Sequence, residues 1–149
     1  MNTKIRKAAL GDIQSIYDLN KQCLPIYYSY LEHAMLLLSS SYLILVVERK
    51  NKIIGYMIGE FNDKNFHILS IGIDNKFRSK GIGSLFIKEL IKFIKEKCDN
   101  ITLIVHVENT KGISFYEKNG FNETEHLVDY YQGSLKAKSQ DALKMKTIF

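Results

Sequence analysis

One proline and two cysteines stand in the 149 residues of this chain. Two cysteines are too few for a disulfide framework, and neither Cys23 nor Cys98 belongs to a spaced Cys/His pattern, so no metal site is expected. Both fall among apolar, helix-like patterns and read as buried free thiols, which points to a reducing compartment. No apolar run reaches the roughly 18 residues that cross a bilayer, and no N-terminal stretch has the form of a signal peptide. A cytoplasmic protein without membrane association is the expectation. Internal repeats, low-complexity tracts and Pro/Gly/Ser linkers are also missing, so the lone proline, Pro25, marks a break in an element rather than a domain boundary. A single domain over residues 1–149 follows, as a monomer or homodimer.

Lysine and arginine outnumber aspartate and glutamate by 21 to 16, a net charge of +5. That excess favours anionic ligands at long range, and a coenzyme carrying several phosphates suits it. The basic residues are scattered and form no nucleic-acid motif, so no nucleic-acid partner is expected. Composition fits a globular protein, with 46% hydrophobic and 25% charged residues.

Periodicity divides the chain into alternating elements. Thr3 to Ala8 alternates as a strand, Ile13 to Asn20 has helical spacing that Pro25 closes, and Tyr30 to Leu38 forms a second short helix. Tyr42–Glu48 and Ile53–Phe61 read as a hairpin across Arg49 to Lys52. Phe66–Ile73 is the next strand, with His67, Leu69, Ile71 and Ile73 on one face by the period of two. Gly81 to Lys97 repeats apolar residues at three- and four-residue spacing, an amphipathic helix. Ile101–Val107 is a strand, Asn109 caps a helix to about Asn119, and Gly120 supplies a left-handed stop. Phe121–Tyr131 and Asp141–Thr147 close the chain as two strands. The sum is an α/β fold: a mixed, mostly antiparallel sheet of about seven strands flanked by about four helices.

The chemistry concentrates where the fourth strand runs into the third helix. Arg78-Ser79-Lys80-Gly81-Ile82-Gly83-Ser84 opens that helix, so several backbone N–H groups converge in a space that holds phosphate. Gly81 and Gly83 permit close approach by a pyrophosphate, and Arg78 and Lys80 add charge beside it. The segment matches neither a Walker A loop nor a dinucleotide fingerprint.

The chain resembles the GNAT family of N-acetyltransferases. Arg78, Gly81 and Gly83 match its Arg/Gln-x-x-Gly-x-Gly/Ala signature, and Asn109, Tyr116, Gly120 and Phe121 match its second block. Within the family it is most similar to protein N-terminal acetyltransferases of the ribosomal-protein-alanine type, by Leu24-Pro25-Ile26 with Tyr28, Tyr130-Tyr131 and Asp141-Ala142-Leu143. The insertion-like stretch Ser134 to Gln140 is longer and more basic than that subgroup implies.

The resemblance implies acetyl-CoA as co-substrate, its pantetheine arm pairing with backbone near Ile71, Gly72 and Ile73, and its phosphates on the 78–84 segment. Asn109 and Tyr116 would adjoin it. Tyr116 would be the general acid for the leaving thiolate, since a phenol remains protonated at neutral pH. His67 falls where relatives carry a base on the fourth strand; a strand histidine with no catalytic role is the alternative. The fifth-strand base position holds Ile104, with His106 offset by two. Leu24, Pro25, Tyr28, Tyr130 and Tyr131 would flank the amine, although adjacent tyrosines in a strand point to opposite faces. The acceptor implied is a peptide or protein N-terminus. The alternatives are a small amine, such as a polyamine or aminoglycoside, and a non-catalytic acyl-CoA-binding module.

Overall fold

A computed structural model describes residues 3–149. Seven strands form one sheet in the order β1-β2-β3-β4-β5-β7-β6, with β1 Thr3–Lys7, β2 Tyr42–Arg49, β3 Lys52–Asn62, β4 Asn65–Ile73, β5 Asn100–His106, β6 Asn122–Leu127 and β7 Ala142–Ile148. Only β4 and β5 pair in parallel; the other neighbours are antiparallel. Four helices complete the chain: α1 Ile13–Cys23, α2 Tyr30–Leu38, α3 Ile82–Ile94 and α4 Thr110–Lys118. Among the described residues no helix is long and apolar enough to cross a membrane.

Each face of the sheet has its own apolar cluster. On one side α3 inserts Ile82, Phe86, Ile87, Leu90 and Ile94 against Leu45, Met57, Phe66, Ile68, Ile101 and Leu103, and α4 leans Ile113, Phe115 and Tyr116 on the same cluster. On the other, Ile16 and Leu19 of α1 and Leu36 and Leu37 of α2 cover Ile44, Val46, Tyr56 and Ile58. The β2–β3 hairpin turns on Lys50 and Asn51, both at positive φ, as a two-residue turn matching the strand twist requires.

Two expectations are corrected. Cys98 is buried, but Cys23 is only half-buried at the end of α1. The strand expected to run to Tyr131 ends at Leu127, and Val128 to Gln132 turn instead, with Asp129 and Gln132 at positive φ. The carboxylate of Asp141 pulls the chain into that turn by accepting the Asp129 N–H at 2.8 Å.

Candidate active site

A β-bulge in β4 creates the central feature. The β3–β4 register runs Ile58 to Ser70 and then Gly59 to Ile68, so Leu69 is the extra residue. Alternation therefore slips by one. Phe66 and Ile68 face α3, and beyond the bulge Ile71 and Ile73 face it too, whereas Ser70 and Gly72 turn toward α1. The single face expected for His67, Leu69, Ile71 and Ile73 is thus broken: His67 and Leu69 lie opposite Ile71 and Ile73.

Parallel pairing of β4 with β5 covers only Asn65–Ile68 against Asn100–Leu103. Past that point the strands separate, and the sheet opens into a V. The Asp74 N–H bonds to Ile54 O on β3 at 2.8 Å, so by alternation Gly72 also addresses β3, while Ile71 and Ile73 aim their polar backbone at the opened side. Of the expected trio, Ile71 turns both backbone groups to the opened side, while Ile73 offers only its N–H there, its carbonyl being taken by Arg78 Nε at 2.9 Å. Gly72 serves differently: a Cβ there would lie 2.6 Å from Tyr56 and 2.9 Å from the Cys23 sulfur, so its bareness lets α1 approach.

The segment after β4 forms the anion cradle. Ser79 and Gly81 both take positive φ, and the first α3 backbone bond is Leu85 N–H to Gly81 O at 3.1 Å. The amides of Ile82, Gly83 and Ser84 are thereby left without helical acceptors, a built-in anion site. Open space surrounds the position of a Gly81 Cβ, but a Gly83 Cβ would strike the Phe115 ring at 2.8 Å. Bareness at 83 answers to α3–α4 packing, while its amide remains in the cradle. Lys80 stands over the Phe77 ring at 5.7 Å. Arg78 stays exposed and reaches back along the strand end, donating from Nε to Ile73 O at 2.9 Å and from Nη2 to the Cys23 sulfur at 3.3 Å, and so braces the strand end under the cradle.

Tyr116 lies on α4 between the rings of Phe115 and Phe121. Burial pushes its phenol up to about 12, so it holds its proton throughout the neutral range. Asn109 caps α4 by accepting the Gly112 N–H at 3.0 Å, and Gly112 is glycine because a Cβ would meet that amide at 2.5 Å.

On the opposite face His67 is half-buried, its Nδ1 2.7 Å from Thr102 Oγ1. Burial, then the charge of Lys144, lowers its pKa, with Glu60 opposing. Glu60 is its direct partner on β3, so the two side chains share one face. His106 is occupied elsewhere: its Nε2 donates to Ser139 O at 2.8 Å and its ring meets Tyr131 at 5.5 Å. It anchors the β6–β7 loop.

The expected acceptor residues come from two loops. Leu24 and Pro25 follow α1, and Tyr28 packs on His33 at 5.7 Å, its phenol pKa raised by burial and by Glu32, Tyr42, Glu60 and Tyr130. Tyr130 and Tyr131 sit in the β6–β7 turn with rings 5.0 Å apart, Tyr130 exposed and Tyr131 half-buried, so the opposition expected of a strand does not apply. Lys136 and Lys138 are exposed.

Residues that sequence reasoning passed over hold these pieces together. Asn20, fully buried, donates to Tyr56 Oη at 3.0 Å and Ser70 Oγ at 3.3 Å and accepts the Tyr28 N–H at 3.0 Å. Its signal was a polar residue on the apolar face of α1. Asn65, Thr102, Glu60 and Lys144 around His67 carried no such mark, since strand pairing alone brings them together. Among the described residues no three His, Cys, Asp or Glu side chains form a metal-binding group.

A split sheet, a bulged strand and a helix-borne amide cradle suited to an anion define the scaffold. The sequence profile described as "Acetyltransferase (GNAT) family" matches residues 13–121, and the chain belongs to that family. An N-alpha-acetyltransferase of Sulfolobus acidocaldarius is 30% identical over 148 residues, covering 88% of this chain and 86% of the relative. The crystal structure of Ard1 from Thermoplasma volcanium superposes with a TM-score of 0.86 at 26% identity, covering 99% of this chain and 98% of that one. The ribosomal-protein-S18-alanine N-acetyltransferase from Escherichia coli has the same fold, with a TM-score of 0.86 at 20% identity over 98% and 93% of the two chains.

Proposed function

We propose that this chain is a single-domain, cytoplasmic enzyme that transfers acetyl from acetyl-CoA directly to the α-amino group of a peptide or protein N-terminus. The observation that carries the reading is the V between β4 and β5, with the amide cradle and Tyr116 toward α3 and α4, and His67 with the tyrosine-bearing loops on the other face. Similarity to N-alpha-acetyltransferases over most of both chains supports the choice of acceptor.

The residues present fit acetyl-CoA: a left-handed Gly81 and the amides of Ile82, Gly83 and Ser84 suit a pyrophosphate, and the β4 edge at Ile71 with the Ile73 N–H suits an extended amide-bearing arm. When bound, acetyl-CoA supplies an acetyl group activated as a thioester. The backbone N–H groups of the β4 edge beyond the bulge are preorganised donors for a developing oxyanion. His67 takes a proton from the acceptor ammonium at Nε2, because an α-amine with pKa near 8 is mostly protonated at neutral pH. Tyr116 holds a proton at Oη for the departing thiolate.

Free-thiol release measured with acetyl-CoA and a panel of acceptors tests the reading. Peptides with a free N-terminus should turn over, while N-acetylated copies of the same peptides, lysine side chains, polyamines and aminoglycosides should not. Turnover confined to polyamines or aminoglycosides would replace this reading with the small-amine one.

A further inference from the structure

We propose that Asn65, acting through Thr102, is a positioning residue that sets the tautomer of His67, keeping a proton on Nδ1 and leaving the Nε2 lone pair free for the acceptor amine. The inference rests on the reading of His67 as the proton acceptor and adds how that role is prepared.

Asn65 and His67 are two residues apart on β4 and share a face, and Thr102 is the register partner of His67 on β5. All three occupy the paired base of the V, just before the strands separate. Thr102 is 5% exposed, so bulk water competes little for its hydroxyl. Three polar atoms crowd that one oxygen: His67 Nδ1 at 2.7 Å, Asn65 Nδ2 at 2.9 Å and Asn65 Oδ1 at 2.9 Å.

A hydroxyl offers one proton and two lone pairs. The amide N–H of Asn65 takes one lone pair. If Thr102 gives its proton to Asn65 Oδ1, the second lone pair accepts from His67 Nδ1–H, and every contact is a hydrogen bond. If the proton instead points at a bare His67 Nδ1, the Asn65 oxygen faces Oγ1 with no hydrogen between them, leaving a pair of acceptors in contact. An acceptor left facing the buried Thr102 oxygen with no hydrogen between them is disfavoured, and the ring is biased toward the Nδ1–H tautomer. Exchanging the oxygen and nitrogen of the Asn65 amide leaves this count unchanged, because both lie 2.9 Å away. Imidazolium also donates from Nδ1, so a proton enters and leaves Nε2 without any rearrangement of Thr102 or Asn65. Glu60 from β3 and Lys144 from β7 also face the ring and set its charge balance, but neither is hydrogen-bonded to Nδ1.

The test is a long-range proton–nitrogen correlation spectrum of the 15N-histidine-labelled protein at a pH above the His67 titration. The expected result is a protonated Nδ1 and a bare Nε2; a dominant Nε2–H form overturns the proposal, and this needs no variant to fold. Asn65→Ala should release the Thr102 proton toward Nδ1, move the ring toward the Nε2–H form and lower kcat about tenfold, a fraction of what a general base contributes. Thr102→Ser should keep both tautomer and rate, and Thr102→Val should lose both. A tautomer unmoved by Asn65→Ala overturns the role of Asn65. Full turnover in His67→Ala overturns the catalytic reading instead, and the spectrum tells the two failures apart.

Discussion

Phe121 packs edge-on against Tyr116, with ring centroids 5.6 Å apart, and the end of α4 builds the contact. The Phe121 N–H returns to Tyr116 O at 3.0 Å and the Gly120 N–H to Glu117 O at 3.1 Å, with Gly120 at φ +89. This paired closure around a left-handed residue brings the side chains before and after the turn together. The phenol is thus clamped by a helix stop, and its ring survives removal of the hydroxyl. Tyr116→Phe should lower kcat about a hundredfold while the acetyl-CoA dissociation constant, by calorimetry, stays within about twofold. Unchanged turnover would remove Tyr116 from the mechanism.

Gly83 offers a stability prediction separate from phosphate binding. An added Cβ would meet two Phe115 ring carbons at 2.8 Å, and forcing a methyl into such a contact costs roughly 1–3 kcal/mol. Gly83→Ala should lower Tm, and Phe115→Leu in the same chain should recover part of the loss. If Gly83→Ala weakens acetyl-CoA binding without any change in Tm, the glycine serves the ligand and not the helix pair.

How far the sequence disclosed this site depends on where each piece sits along the chain. The turn from β4 into α3 was legible because its parts, Arg78 to Ser84, are consecutive, although the left-handed φ of Gly81 was not anticipated. Tyr116 was marked for a similar reason, lying seven residues after Asn109 and within five of Gly120 and Phe121. The bulge at Leu69 was not, since an extra residue in β4 shows only against the register of β3, and period-two counting carried Ile71 and Ile73 to the wrong face. Strand β6 was drawn too long because Val128, Tyr130 and Tyr131 suit a strand, while the turn is imposed by Asp141, twelve residues on from Asp129. The surroundings of His67 come from β3, β5 and β7 at once, which no local pattern reports.

The charges around His67 give a pH prediction with a definite sign. Lys144 disfavours the imidazolium and lowers the pKa, and Glu60 favours it. Burial is the largest cause and the net shift is downward from about 6.5, so the His67 ring is neutral at neutral pH, and under the proposed role activity is lost as the pH falls through its lowered pKa. Lys144→Gln should raise that pKa and move the acid limb of kcat/KM to higher pH. Glu60→Gln should move it the other way. The acceptor amine titrates identically in every variant, so the differences belong to His67; coincident acid limbs would show that another group controls the profile.

Asn20 links the loop that carries Tyr28 to the sheet. Its amide reaches Tyr56 and Ser70 on the α1 side of β3 and β4, and its oxygen fixes the Tyr28 backbone eight residues along the chain. Ser70 and Tyr56 also share a hydrogen bond at 2.7 Å, so each keeps one partner when Asn20 is lost; the Tyr28 N–H loses its side-chain acceptor. Asn20→Ala should therefore cost about 2–3 kcal/mol for the unmet polar groups and vacated volume, and it should release the loop that carries Tyr28. The kinetic signature is specific: KM for the peptide should rise several-fold, about 1 kcal/mol of lost acceptor binding, while the acetyl-CoA dissociation constant holds, because Asn20 makes no hydrogen bond to the 78–84 cradle and Ser70 keeps Tyr56 as its partner. An equal loss toward both substrates would mean that Asn20 supports the sheet alone and that Tyr28 does not grip the acceptor.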